Sequence, residues 1–163
     1  MKKLSSILVV ACALAVLISS CATPEERAAR AAEQARKVTA ALKERNYKIS
    51  VNRMIPLRGN SKTVSYGYGV EVRNDSLLSY LPYFGHAYNV PYGGGKGLNF
   101  SAPIESYRES QPKDDRRHIE ISLTNDEDTY QYIIDIFTNG SANIDVIPRE
   151  RDRITYYGEL DFK

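Results

Sequence analysis

The chain is poor in cysteine and in histidine, with two of each among 163 residues. Cys12 lies inside an N-terminal apolar run and Cys21 closes it, so a chain that sheds the run keeps one cysteine, at its first position. That excludes an internal disulfide, a cysteine metal site and a cysteine nucleophile. His86 and His118 stand 32 positions apart with no cysteine to join them, which argues against a structural zinc site. Long apolar runs are missing as well. A membrane-spanning helix needs about 20 apolar residues, and the run from Leu4 to Ile18 is shorter and broken by Ser5 and Ser6. Nor is there charge of one sign. The formal +2 rests on Lys2 and Lys3, and without residues 1–20 the remainder carries 20 basic and 20 acidic residues. Such a balance gives no electrostatic footprint for nucleic acid.

Catalytic signatures are equally sparse. No G-x-S-x-G elbow occurs. Gly93-Gly94-Gly95-Lys96-Gly97 lacks the Ser or Thr and the following helix of a phosphate-binding loop, and reads as a mobile hairpin loop. Asp126, Glu127 and Asp128 lack the spacing and glycine of a calcium loop and read as a solvated turn. A carboxylate pair for glycoside hydrolysis would have to come from acids patterned as surface residues. No catalytic residue, metal or cofactor is implied.

What is present begins with Ile18-Ser19-Ser20-Cys21. A positive start, an apolar run and small residues before a cysteine form a secretory signal ending in a lipobox, in which Cys21 is diacylated and becomes the first residue. Acyl chains add about 0.8 kcal/mol per buried CH₂, so the expected partner is a membrane, reached through Cys21. Ala22 stands where an aspartate could mark inner-membrane retention, which points to the outer membrane and a periplasmic face.

Residues 1–20 are thus a signal peptide, 21–45 the lipidated cysteine with a helical spacer, and 46–163 one β domain. Thr23-Pro24-Glu25-Glu26 opens the helix with a cap, a proline at the first helical position and a capping box. Its stripe of Ala28, Ala31 or Ala32, Ala35, Val38 and Leu42 is mostly alanine. It buries little, which favours a spacer about 30 Å long over a docked helix. From Tyr47 the period becomes two. Val64, Tyr66, Tyr68, Val70 and Val72 make the clearest strand. Further strands run at 47–51, 76–81, 98–102, 118–123, 130–137 (apolar on both faces), 142–146 and 154–160, with turns at Asn74-Asp75, Asn125–Asp128 and Asn139-Gly140. The fold class is all-β: a single antiparallel meander of about eight strands, barrel-like or sandwich, preceded by the N-terminal α-helix.

Leu81-Pro82-Tyr83-Phe84-Gly85-His86-Ala87-Tyr88 stands out against this regularity. With Tyr80 and Tyr92 it gathers five aromatics and a histidine. Pro82 ends a strand, and Gly85 permits a conformation its neighbours would resist. The rings at Tyr80, Tyr83, Phe84, Tyr88 and Tyr92, with His86, either plug one end of the sheet or line a ligand site. A plug predicts a loss of about 3–5 kcal/mol for Phe84→Ala. Together with an ending of the form R-x-x-I-x-Y-x-G, met at Arg153, Ile154, Tyr156 and Gly158 with its spacing displaced by one, this block resembles domain of unknown function family 4251, envelope lipoproteins of the Bacteroidota. The resemblance covers about Ala41 to Phe162. It implies an all-β envelope lipoprotein of unassigned role and supplies no catalytic residues. Asp75-Ser76-Leu77 fits the short acceptor pattern for periplasmic O-glycosylation in that phylum, at Ser76. Two roles follow: a structural or protein-interaction role with the rings in the core, or a module binding a small apolar or glycan-like ligand through Tyr80–Tyr92.

Overall fold

The structure, a computed structural model, describes residues 23–89 and 95–162. They fall into two compact units, one ending at Glu33 and one beginning at Gln34. Helix α1 (Pro24–Lys43) starts in the first. The Glu26 amide donates to Thr23 Oγ1 at 3.2 Å and the Thr23 amide to Glu26 Oε2 at 3.3 Å, the expected capping box.

The second unit opens with the last turns of α1, and here the spacer expectation fails. Val38 and Leu42, four residues apart on one helical face, are both buried, and Gln34 Nε2 donates to the Asn139 carbonyl at 2.7 Å. Alanine contributes little to this contact, but a buried Val or Leu contributes about 1.5–3 kcal/mol. The β domain's compact unit therefore begins at residue 34 rather than 46. Arg45 ends the helix in the left-handed region, φ 46°, with its amide bonded to the Leu42 carbonyl at 3.0 Å.

Ten strands follow: β1 (Asn46–Pro56), β2 (Lys62–Thr63), β3 (Gly69–Arg73), β4 (Ser76–Leu81), β5 (Leu98–Pro103), β6 (Ser106–Lys113), β7 (Arg116–Thr124), β8 (Thr129–Phe137), β9 (Ser141–Pro148) and β10 (Ile154–Asp161). Nine of them form one antiparallel sheet in the order β5-β4-β3-β1-β10-β9-β8-β7-β6, curled into a half barrel, and β2 lies against β1. The first and last strands pair in the middle, and the meander opens between β5 and β6. Only Ile104 and Glu105 join these two edges. The Ile104 amide bonds the Asp75 carbonyl at 2.7 Å, and the Glu105 amide bonds that of Ser122 at 2.9 Å.

The concave face is the core, built from alternate residues of every strand but β2 and β6, such as Ile49, Val70, Leu77, Leu98, Ile121, Ile134, Ile144 and Tyr156. Tyr132 on β8 donates to Ser79 Oγ on β4 at 3.0 Å, and Ser79 to the Leu98 carbonyl at 2.7 Å, so this buried polar pair is satisfied.

Three strand expectations change. Val64–Tyr68 is not strand: Gly67 sits in a turn at φ 105° and Tyr66 is fully exposed, so pairing starts at Gly69. Gly69 and Gly158 flank β1 at its bulge between Val51 and Arg53, and a Cβ on either would run into β1 backbone. β6 escapes the alternation rule because, apart from Tyr107, which packs against the core, it is polar on both faces. Its Arg108, Glu109, Pro112 and Lys113 are the charges and proline that keep an edge strand from pairing further. Strand β8 buries Tyr130, Tyr132, Ile134 and Ile136, whereas Ile133 and Phe137 stand half-covered on the outer face.

Candidate functional site

β4 stops at Leu81 because Pro82 cannot donate to the ladder. The Tyr156 hydroxyl, from the core, holds the Pro82 carbonyl at 2.8 Å. Beyond it the chain is fixed to the segment between β9 and β10. Tyr83, half-buried, donates its hydroxyl to the carbonyls of His86 (3.0 Å) and Asp152 (3.1 Å). The Asp152 amide donates to the His86 carbonyl at 2.9 Å and the Tyr88 amide to the Glu150 carbonyl at 2.8 Å, around a bridge between Ala87 and Arg151. Both oxygens of the Asp152 carboxylate are engaged. Oδ1 accepts the Tyr88 hydroxyl at 2.5 Å and Oδ2 the His86 amide at 3.2 Å. The Tyr88 bond first, and the His86 amide next, hold the Asp152 carboxyl below its usual pKa. The same bond raises that of the Tyr88 hydroxyl.

This ordered loop is not the core plug that a packing role requires. Among the described rings of the block, Tyr83 alone packs against the core. Phe84 is 53 % exposed, Tyr88 63 % and Tyr80 55 %. Lys62 Nζ stands 3.2 Å above the centre of the Phe84 ring, and His86 meets Tyr88 edge-on at 5.3 Å. Tyr80 points outward from β4 and stacks on Tyr68, centroids 4.9 Å apart. Gly85 is needed for space rather than for an unusual φ, since a Cβ there would lie 2.6 Å from the Tyr83 hydroxyl. Arg58, Tyr83, Phe84, Gly85, His86 and Asp152 line an open cleft of about 340 Å³. Tyr92, with the stretch 90–94, lies outside the described residues, as does Cys21.

The far side of the loop is fixed by a second cluster. The Lys96 amide donates to Glu127 Oε1 at 2.9 Å, and its ammonium reaches Asp126 at 2.8 Å. Arg151 Nη2 pairs with Glu127 Oε2 at 2.9 Å, both side chains buried, and a Cβ at Gly95 would lie 2.7 Å from that guanidinium. The expected solvated turn is therefore solvated only at Asp126. The Asp128 side chain is fully enclosed, accepting amides from Thr129 (2.7 Å), Arg149 (3.1 Å) and Glu150 (3.2 Å). A carboxylate can be buried at such cost only when hydrogen-bonded like this. Burial above all pushes the neighbouring Tyr130 hydroxyl up to about 12.

Sequence reasoning missed Arg151, Asp152, Arg58 and Lys62, which read as ordinary surface charges. One signal was available for Arg151. In the R-x-x-I-x-Y-x-G ending, three positions before Ile154 is Arg151, not the exposed Arg153.

The remaining candidates stand apart. His118 Nδ1 bonds Asp135 at 2.8 Å and its Nε2 faces Glu120 at 3.5 Å, on the outer face of β7 and β8; it shares no partner with His86. Among the described residues no group of three or more His, Cys, Asp or Glu side chains could hold a metal ion. No described helix is long and apolar enough to cross a membrane. Ser76 begins β4 half-buried, paired with Arg73 and Pro103.

Comparison with known proteins places this geometry. A crystal structure of a DUF4251 family protein from Bacteroides eggerthii DSM 20697 superposes with a TM-score of 0.60 at 17 % identity, covering 78 % of this chain and 86 % of that one. At that identity the likeness concerns the fold. No curated protein matches the chain. The family model for DUF4251, a domain of unknown function, matches residues 29–160, and the chain belongs to that family.

Proposed function

We propose that the protein is a lipoprotein of the bacterial outer membrane, anchored through acyl chains on Cys21 and facing the periplasm, and that it acts by binding rather than by catalysis. The lipobox at Ile18–Cys21 supports the anchoring. One observation carries the binding role: Phe84 and Tyr88 are exposed on a loop whose backbone is held at Pro82, His86 and Tyr88. Of the two roles the sequence leaves open, the structural one needs these rings in the core. Exposed rings on an ordered loop instead favour a contact surface for an envelope protein or a small ligand, since a preordered loop spends little entropy on binding. The cleft's one carboxylate, Asp152, is occupied in fixing the loop, which favours binding over acid–base chemistry there.

Two experiments test this. Labelled palmitate should enter the wild type and not Cys21→Ser, which should leave the membrane fraction; equal membrane recovery of the unlabelled variant defeats the anchoring. A photo-crosslinking benzoylphenylalanine at position 84, in cells, should give a covalent adduct that the same group at Glu159 does not. Absence of an adduct at 84 defeats the binding role.

A further inference from the structure

We infer that the cleft at Arg58 and Phe84 takes an anionic saccharide, with a sugar ring against Phe84 and Tyr88 and its acidic group on Arg58 and Lys62. This rests on the reading of the loop as a binding surface and names the ligand class for it.

The first ground is charge. Among the described residues neither Arg58 nor Lys62 has an ion pair: Arg58 lines the cleft, and Lys62 rests on the Phe84 ring. The carboxylate beside them, Asp152, is 3 % exposed and has both oxygens bonded from within the protein. Arg58 in the cleft and Lys62 beside it, on the Phe84 ring, thus offer two accessible cations against one enclosed anion. An arginine fork and a lysine ammonium are the usual partners of a carboxylate or phosphate.

The second ground is shape. Phe84 and Tyr88 expose flat apolar rings, and the C–H face of a pyranose packs on such a ring as other apolar surface does. His86 adds a polar edge that suits hydroxyls. A volume of about 340 Å³ falls at the small end of ligand sites. The cleft is open to solvent and carries the Arg58 charge, which disfavours a lipid chain.

Lys62 links the two grounds. Unliganded, its ammonium covers one face of Phe84 by cation–π attraction. A sugar ring arriving there displaces the ammonium, which then meets the sugar's acidic group.

The test uses the full chain, purified in detergent and titrated calorimetrically with galacturonic acid trimer and with its methyl ester, which keeps the ring and removes the charge. The acid should bind and weaken at high salt. The ester should bind at least about tenfold less tightly. Arg58→Gln combined with Lys62→Gln should bring the acid down to the ester's affinity, and Phe84→Ala should weaken both. Arg58 and Lys62 are exposed, so the double variant should keep the wild-type melting temperature, and half-covered Phe84 should lose only about 4–8 °C on truncation. Equal binding of acid and ester, or acid binding untouched by the double substitution, overturns the inference. Binding of neither trimer also overturns it. If the crosslink at position 84 still forms in that case, the surface stands and only the ligand class is wrong.

Discussion

Replacing Asp128 by alanine should cost about 3–5 kcal/mol, the loss expected when one member of a buried charged cluster is removed. The magnitude follows from what the carboxylate holds. Its side chain is 0 % exposed. The Thr129 and Glu150 amides have it as their hydrogen-bond partner, at 2.7 and 3.2 Å, whereas the Arg149 amide also reaches the Thr129 carbonyl at 3.0 Å. Alanine would leave two part-buried amides without this partner, at the lower end of about 1–3 kcal/mol each. It would also remove the charge facing Arg151 Nε at 4.0 Å, while Glu127 still pairs with that guanidinium. Asp128→Asn keeps one acceptor oxygen and should lose about half as much. Urea unfolding followed by circular dichroism measures both. For a domain of this size the alanine variant should melt about 10–20 °C lower. A loss under about 1 kcal/mol, the range of surface substitutions, would show that the cluster does not hold this corner and return Asp128 to the solvated turn its sequence suggests.

Phe84→Ala should cost only about 1–2 kcal/mol in denaturant unfolding, because half the ring is already exposed; a loss of about 3–5 kcal/mol would restore the core plug. Leu42→Ala should cost about 2–4 kcal/mol, and a change below about 0.5 kcal/mol would mean the end of α1 is not docked. Asp152 has a lowered folded-state pKa, so its contribution is fully present above the unfolded value of about 3.9 and is lost as pH falls through the folded one. Asp152→Asn should therefore flatten the fall in melting temperature below about pH 4. An acid limb identical to the wild type's would show that the Tyr88 and His86 bonds do not hold the ionised form.

Much of the fold is legible because period-two alternation is a backbone property. Where one face is buried, as in Ile119, Ile121 and Leu123, the apolar residues must alternate. Turn chemistry was equally direct: Asn74 and Gly140 adopt φ 52° and 85° where the Asn-Asp and Asn-Gly signals place the hairpins. Alternation misled at Val64–Tyr68, where a regular spacing of aromatics continues into a turn that Gly67 breaks, and it was silent at β6, which gives the core only Tyr107. The helix was misjudged because counting alanines understates a stripe whose two large residues, Val38 and Leu42, fall together at one end. The site was half legible. Aromatic clustering located the loop, but the sequence cannot say whether a tyrosine's ring is in or out. That depends on partners such as Asp152, 64 positions from Tyr88.

Arg151 and Asp152 give the loop its order by a simple device. They are adjacent in an extended stretch bridged to Ala87, and successive side chains of extended backbone point to opposite sides. Asp152 turns toward 86–88 and binds the Tyr88 hydroxyl and the His86 amide, while Arg151 turns to Glu127, which carries the Lys96 amide. One short segment thus holds the chain at His86 and Tyr88 and, through Glu127, at Lys96. Buried ion pairs contribute little net stability over apolar replacements, so stability alone is a weak reason for one here. Directional bonds to particular backbone groups set where the loop leaves the sheet, which apolar contacts do loosely. The half barrel supplies the frame for this. With β1 and β10 paired in mid-sheet, the β9–β10 connection is carried by strands with neighbours on both sides, so the clamp sits on the best-supported part of the fold while the rings it orders face solvent.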